Sequence, residues 1–130
     1  MAGRIVIYTD GACIPNPGKG GWAYYIPGDG VCESGGHPHT TNNRMELMAI
    51  CKALASFPEP SHLLIKTDSQ YSILIAKKTS KPAKNPDLWI LLRELCAYHN
   101  VQFEWVKGHS TDIHNNRVDV LANSAAMRQR

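Results

Sequence analysis

Residues 4–9 (RIVIYT) alternate apolar and polar positions and are largely β-branched, the signature of a strand. The same period returns at residues 21–26 (GWAYYI), where a Pro-Gly-Asp-Gly turn at 27–30 leads into a short strand over 31–36. Between the first two strands, residues 11–20 are rich in Gly and Pro and predict a turn-laden loop. The pattern then takes a helical period. Asn42 or Asn43 can cap a helix that runs to about Ser56, with Pro58 and Pro60 stopping it. Residues 62–67 read as the next strand and 69–76 as a short helix, followed by a basic, proline-interrupted connection at 77–84 (KKTSKPAK). Leu88, Leu91, Leu92 and Leu95 share one face of a helix over 86–98. Residues 101–106 form the last predicted strand. A final helix from about Asn115 carries Val118, Leu121, Ala122 and Ala125 as its buried stripe, and residues 127–130 are expected to fray.

Strands with short connections, followed by alternating helices and strands, predict an α/β fold: a mixed sheet with helices on both faces. With 130 residues, no repeat and no linker, the chain reads as one domain over 1–130. The opening MAGRIVIYTD lacks the basic-then-apolar pattern of a signal peptide, and no apolar run approaches the roughly 20 residues needed to span a bilayer. A cytoplasmic protein with no membrane association is the expectation. Cys13, Cys32, Cys51 and Cys96 show no metal or dithiol spacing, so free thiols in a reducing compartment are expected. The net charge of +3 is compatible with a polyanionic partner without specifying one.

Four acids change the picture. Asp10 follows IVIYT, Asp68 follows LLIKT, Glu46 lies in TTNNRMEL and Asp119 in NNRVDVLA. If the first two strands concerned are parallel neighbours, Asp10 and Asp68 meet at one end of the sheet, where open α/β folds place ligands. Carboxylates about 4 Å apart repel by roughly 4 kcal/mol at an effective dielectric near 20, so the cluster needs protons, cations or metal. Hard oxygen ligands select Mg²⁺ or Mn²⁺. Each acid also has a plain reading: Asp10 as a turn former, Glu46 as a helix-start acid, Asp68 as a helix cap, Asp119 as a helix surface acid. Trp22, Trp89 and Trp105 read as core or core-edge residues, and Cys13 as an inert small residue in a tight loop.

In order along the chain stand TDGAC-x-x-NPG-x-GGWA, ESGG, TTNNRMELMA, TDSQY, KN-x-DLW and WVKGH-x-x-x-x-x-N-x-x-x-D-x-LA. Together these resemble the type 1 ribonucleases H. The resemblance implies the ribonuclease H-like fold, a five-stranded mixed sheet with flanking helices, and hydrolysis of the RNA strand of RNA–DNA hybrids to 5′-phosphate and 3′-hydroxyl ends. It implies two Mg²⁺ ions, with Mn²⁺ as a substitute, held by Asp10, Glu46, Asp68 and Asp119. One ion would activate the attacking water and the other would stabilise the leaving oxygen. His109 would help the leaving group or product departure. Gly11, Ala12, Cys13, Asn16, Asn42, Asn43 and Gln70 would line the minor groove of the hybrid. There 2′-hydroxyls mark the RNA strand, and Glu46 would accept from one of them. Thr41 and Asn85 would hold a phosphate of the DNA strand.

Three positions depart from the family pattern. His39 stands where members often have Arg, and Asn116 where many cellular members have Glu. The long basic protrusion of well-known bacterial members is missing, which leaves Lys77, Lys78, Lys81 and Lys84 as the basic contacts in that region. A monomer is expected. The alternative is a catalytically weak module that binds hybrid or duplex RNA on the same fold, and the presence of all four acids argues against it.

Overall fold

The structure is a computed structural model and describes residues 3–77, 82, 84–108 and 111–129. Three strands, β1 (Ile5–Ile14), β2 (Gly18–Ile26) and β3 (Val31–Thr40), form an antiparallel meander. The helix α1 (Asn42–Ala55) crosses over to β4 (His62–Thr67), which lies parallel to β1. Two further helices, α2 (Gln70–Ala76) and α3 (Pro86–Tyr98), lead to β5 (Asn100–Trp105), parallel to β4, and α4 (Ile113–Met127) closes the chain. The five strands lie in the order β3-β2-β1-β4-β5. This is the mixed sheet that the pattern predicts.

Successive strand residues point to opposite faces of a sheet. A Cβ added at Gly20 would run into Met45 of α1, whereas one at Gly21 would run into the backbone of α4 at Ala122 and Ala126. The two helices therefore cover opposite faces. On the α1 face, Ile7, Leu47, Ile50, Leu54, Leu63, Ile65 and Leu92 form a deep aliphatic core that α2 and α3 extend with Ile75 and Leu88. On the α4 face the buried cluster is small, built from Ala12, Ala23 and Ala122 with Leu121 half-buried beside them.

Several boundaries differ from the sequence expectation, each for a physical reason. Residues 11–20 are mostly strand: Gly11 pairs with Trp22 and Ile14 with Lys19, and only 15–17 turn. Gly11 and Gly20 serve the close approach of α1, and ladder pairing continues through them. The third strand runs on to Thr40 because it keeps pairing with β2 past a bulge between Gly18 and Gly20. Thr41, not Asn42 or Asn43, caps α1: its Oγ1 accepts from Arg44 N at 3.3 Å, and both asparagines are already helical. Asp112 caps α4 by accepting from the amides of His114 and Asn115, so that helix starts before Asn115. The tail does not fray through 129, since Arg128 N donates to Ser124 O and Gln129 Nε2 to Ala125 O; Arg130 lies outside the described residues. Trp22 and Trp89 pack against the main core, while Trp105 is about half exposed.

Candidate active site

The parallel pairing of β1 with β4 sets Tyr8 opposite Lys66, so the two chains reach Asp10 and Asp68 at the same end of the sheet. Helix capping does not claim Asp68, because Ser69 caps α2 by accepting from Ser72 N at 3.1 Å. Gly11 delivers the third acid. A Cβ at Gly11 would overlap the backbone of Met45 and Glu46, so only glycine lets α1 settle directly on β1. One oxygen each from Asp10, Glu46 and Asp68 then lie within 4.8 Å of one another. Gly21 does the same for α4 on the other face, and that contact brings Asp119 to the edge of the same cleft of about 290 Å³. The plain readings of the acids as a turn former, a cap and surface groups do not describe this juxtaposition.

The electrostatics follow from burial. Asp10 is 4% and Glu46 6% exposed. Desolvation, then the Asp68 charge and contact with Asp119, pushes the Asp10 carboxyl up to about 8. Burial, followed by the charges of Asp10 and Asp68, holds Glu46 well above the usual carboxylate range. Asp10 Oδ1 accepts from Gly11 N at 3.0 Å, and Asn123 Nδ2 donates to Asp119 Oδ1 at 3.2 Å. Glu46 Oε1 and Asp68 Oδ1 are buried without a protein hydrogen-bond partner. Buried acceptors are rarely left so, because an unmade bond keeps the full cost of desolvation. Clustered, partnerless carboxylate oxygens suit a hard divalent cation, which removes both the repulsion and the missing bonds. Among the described residues these three acids are the group able to hold a metal ion.

The other residues singled out in the sequence divide between two places. Gly11, Ala12, Cys13 and Asn42 line the acidic cleft, and Asn123 joins them. Sequence reading missed Asn123, although its place four residues after Asp119 puts it on the same helix face. Asn16, Thr41, Asn43, Lys84 and Asn85 line a neighbouring cavity of about 550 Å³, with Tyr71 as a further wall residue. Gln70 is exposed at the start of α2, and Lys77 is exposed at its end; neither lines these two cavities. Cys13 is no loop residue: it ends a strand, half-buried, its thiol within 3.3 Å of Thr40 O. None of the four cysteines is in a disulfide. The chain after β5 presses on the acids, since a Cβ at Gly108 would fall 2.9 Å from Asp68 Oδ2. His109, Lys78 and Lys81 lie outside the described residues.

A family model described as RNase H matches residues 2–127. The chain belongs to the RNase H family. Among its relatives, a ribonuclease H of Nitratidesulfovibrio vulgaris is 42% identical over 142 positions, covering 96% of this chain and 90% of the relative. A ribonuclease H of Chlorobium phaeobacteroides is also 42% identical, with each chain covered completely. That alignment extends over 146 positions against the 130 residues here, so the relative carries segments this chain lacks. The crystal structure of RNase H1 from the archaeon Halobacterium salinarum superposes with a TM-score of 0.77 at 28% identity, covering 95% of this chain and 97% of the other. Membership of the RNase H family and the buried acidic cluster together point to use of a divalent metal. No helix among the described residues is long and apolar enough to cross a membrane.

Proposed function

We propose that this chain is a metal-dependent endoribonuclease that hydrolyses the RNA strand of RNA–DNA hybrids and leaves 5′-phosphate and 3′-hydroxyl ends. The observation that carries the reading is the cluster of Asp10, Glu46 and Asp68, with buried oxygens lacking partners, in a member of the RNase H family. Those three acids, with Asp119 from α4, would hold two Mg²⁺ ions, and Mn²⁺ would substitute. Bound there, such ions supply an activated water and charge stabilisation for the departing 3′ oxygen.

The chain's own groups prepare that chemistry. Asp10 and Glu46 hold their protons past the usual range without a cation, so loading the site releases protons. The buried strand segment from Gly11 to Ala12 gives the cleft a wall free of bulky side chains, which lets a sugar–phosphate backbone approach. The cavity lined by Asn16, Thr41, Asn43, Lys84 and Asn85 offers neutral donors and one cation, a suitable chemistry for a phosphate of the DNA strand. His109 is assigned to leaving-group or product departure by its match to the family motif alone. Residues 1–130 form one ribonuclease H domain in this reading, acting as a cytoplasmic monomer. The intact acid cluster disfavours the alternative of a hybrid- or duplex-RNA-binding module that does not cut.

Incubation with labelled RNA–DNA hybrid, duplex RNA and duplex DNA, with and without Mg²⁺, tests the proposal. Cleavage of the hybrid's RNA strand alone, and only with metal, is the expected result. Equal cleavage of duplex RNA, or hybrid bound but never cut, would sink it.

A further inference from the structure

Asn85 has an unusual backbone. It sits at φ 62° and ψ 43°, in the left-handed region, directly before Pro86. Residues before proline favour extended conformations, and left-handed non-glycine residues are uncommon, although Asn tolerates them best. A backbone held this way against local preference is often tied to a particular side-chain placement. Asn85 occupies the N-cap position of α3, yet its side chain makes no capping bond. Its carbonyl instead accepts from Leu88 N and Trp89 N. That leaves the amide group for other partners.

Both ends of the amide are held. Arg44 Nη1 donates to Asn85 Oδ1 at 3.2 Å, and Asn85 Nδ2 donates to the Tyr71 hydroxyl at 3.1 Å. Arg44 is itself fixed by two further bonds to the Asp87 carboxylate, Nη1 to Oδ1 at 3.0 Å and Nη2 to Oδ2 at 2.7 Å. Tyr71, Asn85, Thr41 and Lys84 line the cavity of about 550 Å³, but Arg44 does not. A guanidinium has only donors, so Arg44 accepts the amide in one orientation, oxygen inward. The amide nitrogen keeps one N–H beyond the bond to Tyr71. An amide turned the other way would present an acceptor, which repels a phosphate.

We infer that Arg44 is a positioning residue: by holding the Asn85 oxygen it makes the cavity present a donor rather than an acceptor to an anion. The inference rests on the proposed function and assigns the cavity's preference for an anionic phosphate to a residue that does not touch the ligand. A plain strut role for the Arg44–Asp87 pair, joining α1 to α3, makes a different prediction. The strut depends on Asp87, whereas amide orientation depends on Arg44 reaching Asn85.

The test is a double-mutant cycle on Mg²⁺-dependent hybrid cleavage, at a temperature where circular dichroism shows every variant folded. Asn85→Ala and Arg44→Ala are each expected to raise KM about tenfold with kcat within about twofold, and the double variant to be no worse than either single change. Asp87→Asn, which weakens the ion pair but leaves Arg44 beside Asn85, is expected to raise KM less than Arg44→Ala. Should Arg44→Ala unfold, Arg44→Lys runs the same cycle, with a smaller but still non-additive rise in KM. Multiplying effects of Arg44 and Asn85, or an Asp87→Asn variant matching the whole Arg44→Ala effect, would overturn the inference and leave the proposed function standing. Wild-type KM in Asn85→Ala would overturn both the reading of the cavity and the inference built on it.

Discussion

The acidic cleft and the cavity beside it share the first turns of α1, and they are built on opposite electrostatic terms. In the cleft, Asp10, Glu46 and Asp68 converge, and Glu46 Oε1 and Asp68 Oδ1 are buried without a hydrogen-bond partner. In the cavity, Thr41 caps its helix and the Asn85 amide is held by Arg44 and Tyr71. The first place is incomplete until a cation arrives. The second is already satisfied within the protein and keeps donors in reserve. Chemistry belongs where removing the ligand leaves repulsion behind, and grip where the groups are pre-set. Changes in the cleft should therefore act on the rate and, without metal, act favourably on stability. Changes in the cavity and in the lysines of residues 77–84 should act on KM.

The largest effect tests the cleft. Asp10→Asn and Asp68→Asn are each expected to lower hybrid cleavage more than about 10³-fold, since several kcal/mol of transition-state stabilisation depends on the loaded site. The same variants should melt at or above the wild-type temperature without metal, because the folded cluster then has one carboxyl fewer to protonate or to bury charged. Each kcal/mol so gained is worth roughly 3–6 °C in Tm for a chain of this size. A well-folded variant that still cuts hybrid with Mg²⁺ would undo the assignment, and a large fall in apo stability would undo the account of repulsion.

His109 should fall next in size. Replacement by Ala should cost no more than about 10²–10⁴-fold in kcat, the range of a proton-transfer aid, while leaving metal binding intact. Titration calorimetry with Mg²⁺ decides the point: lost binding would recast the histidine as a ligand.

The pH dependence of stability sharpens the contrast further. Asp10 titrates near 3.8 when unfolded and about 8 when folded, so between those values the folded state holds a proton that the unfolded state has released. Stability without metal is then highest toward the acid end of that window and falls as pH rises toward 8. Glu46, raised in the same direction, adds to the trend. Thermal melts in EDTA should show Tm declining from about pH 5 to 8, and saturating Mg²⁺ should raise Tm more at pH 8 than at pH 5. A Tm that rises over that range without metal would contradict the buried-cluster picture.

The lysines of residues 77–84 should give the smallest effect. Changing Lys77, Lys78, Lys81 and Lys84 together to Ala is expected to raise KM several-fold and flatten the salt dependence, with kcat little altered. Log K falls with log salt by about 0.9 per phosphate neutralised, and few lysines are available here. An unchanged KM and salt slope would place the grip on another surface.

Much of this was legible along the chain. The strand periods, the helical stripe of α3 (Leu88, Leu92 and Leu95, though Leu91 turns out exposed) and the position of each acid next to a predicted element are local properties, written in residue order and spacing. What the period could not show was how glycines would be used. Residues 11–20 look like turns because Gly and Pro dominate, yet Gly11 and Gly20 are strand residues whose missing Cβ lets α1 touch the sheet. Asn42 and Asn43 look like helix caps along the chain, and Thr41 takes that place for a related reason. A cap depends on which residue the preceding strand leaves extended, and β3 ends on Thr40, so Thr41 takes the role. The Arg44–Asn85–Tyr71 bonds join residues 41 and 14 positions apart, with no spacing signal to announce them.

The sequence by itself determined the kinds of element, the α/β class and the acids available, because these depend on side-chain chemistry and short-range periodicity. The tertiary structure alone decided that Asp10, Glu46 and Asp68 share one buried point while Thr41 and Asn85 face a separate cavity. That division follows from strand order and from the close approach of α1 over Gly11, long-range contacts that fix where carboxylates lose water and where amides keep their partners.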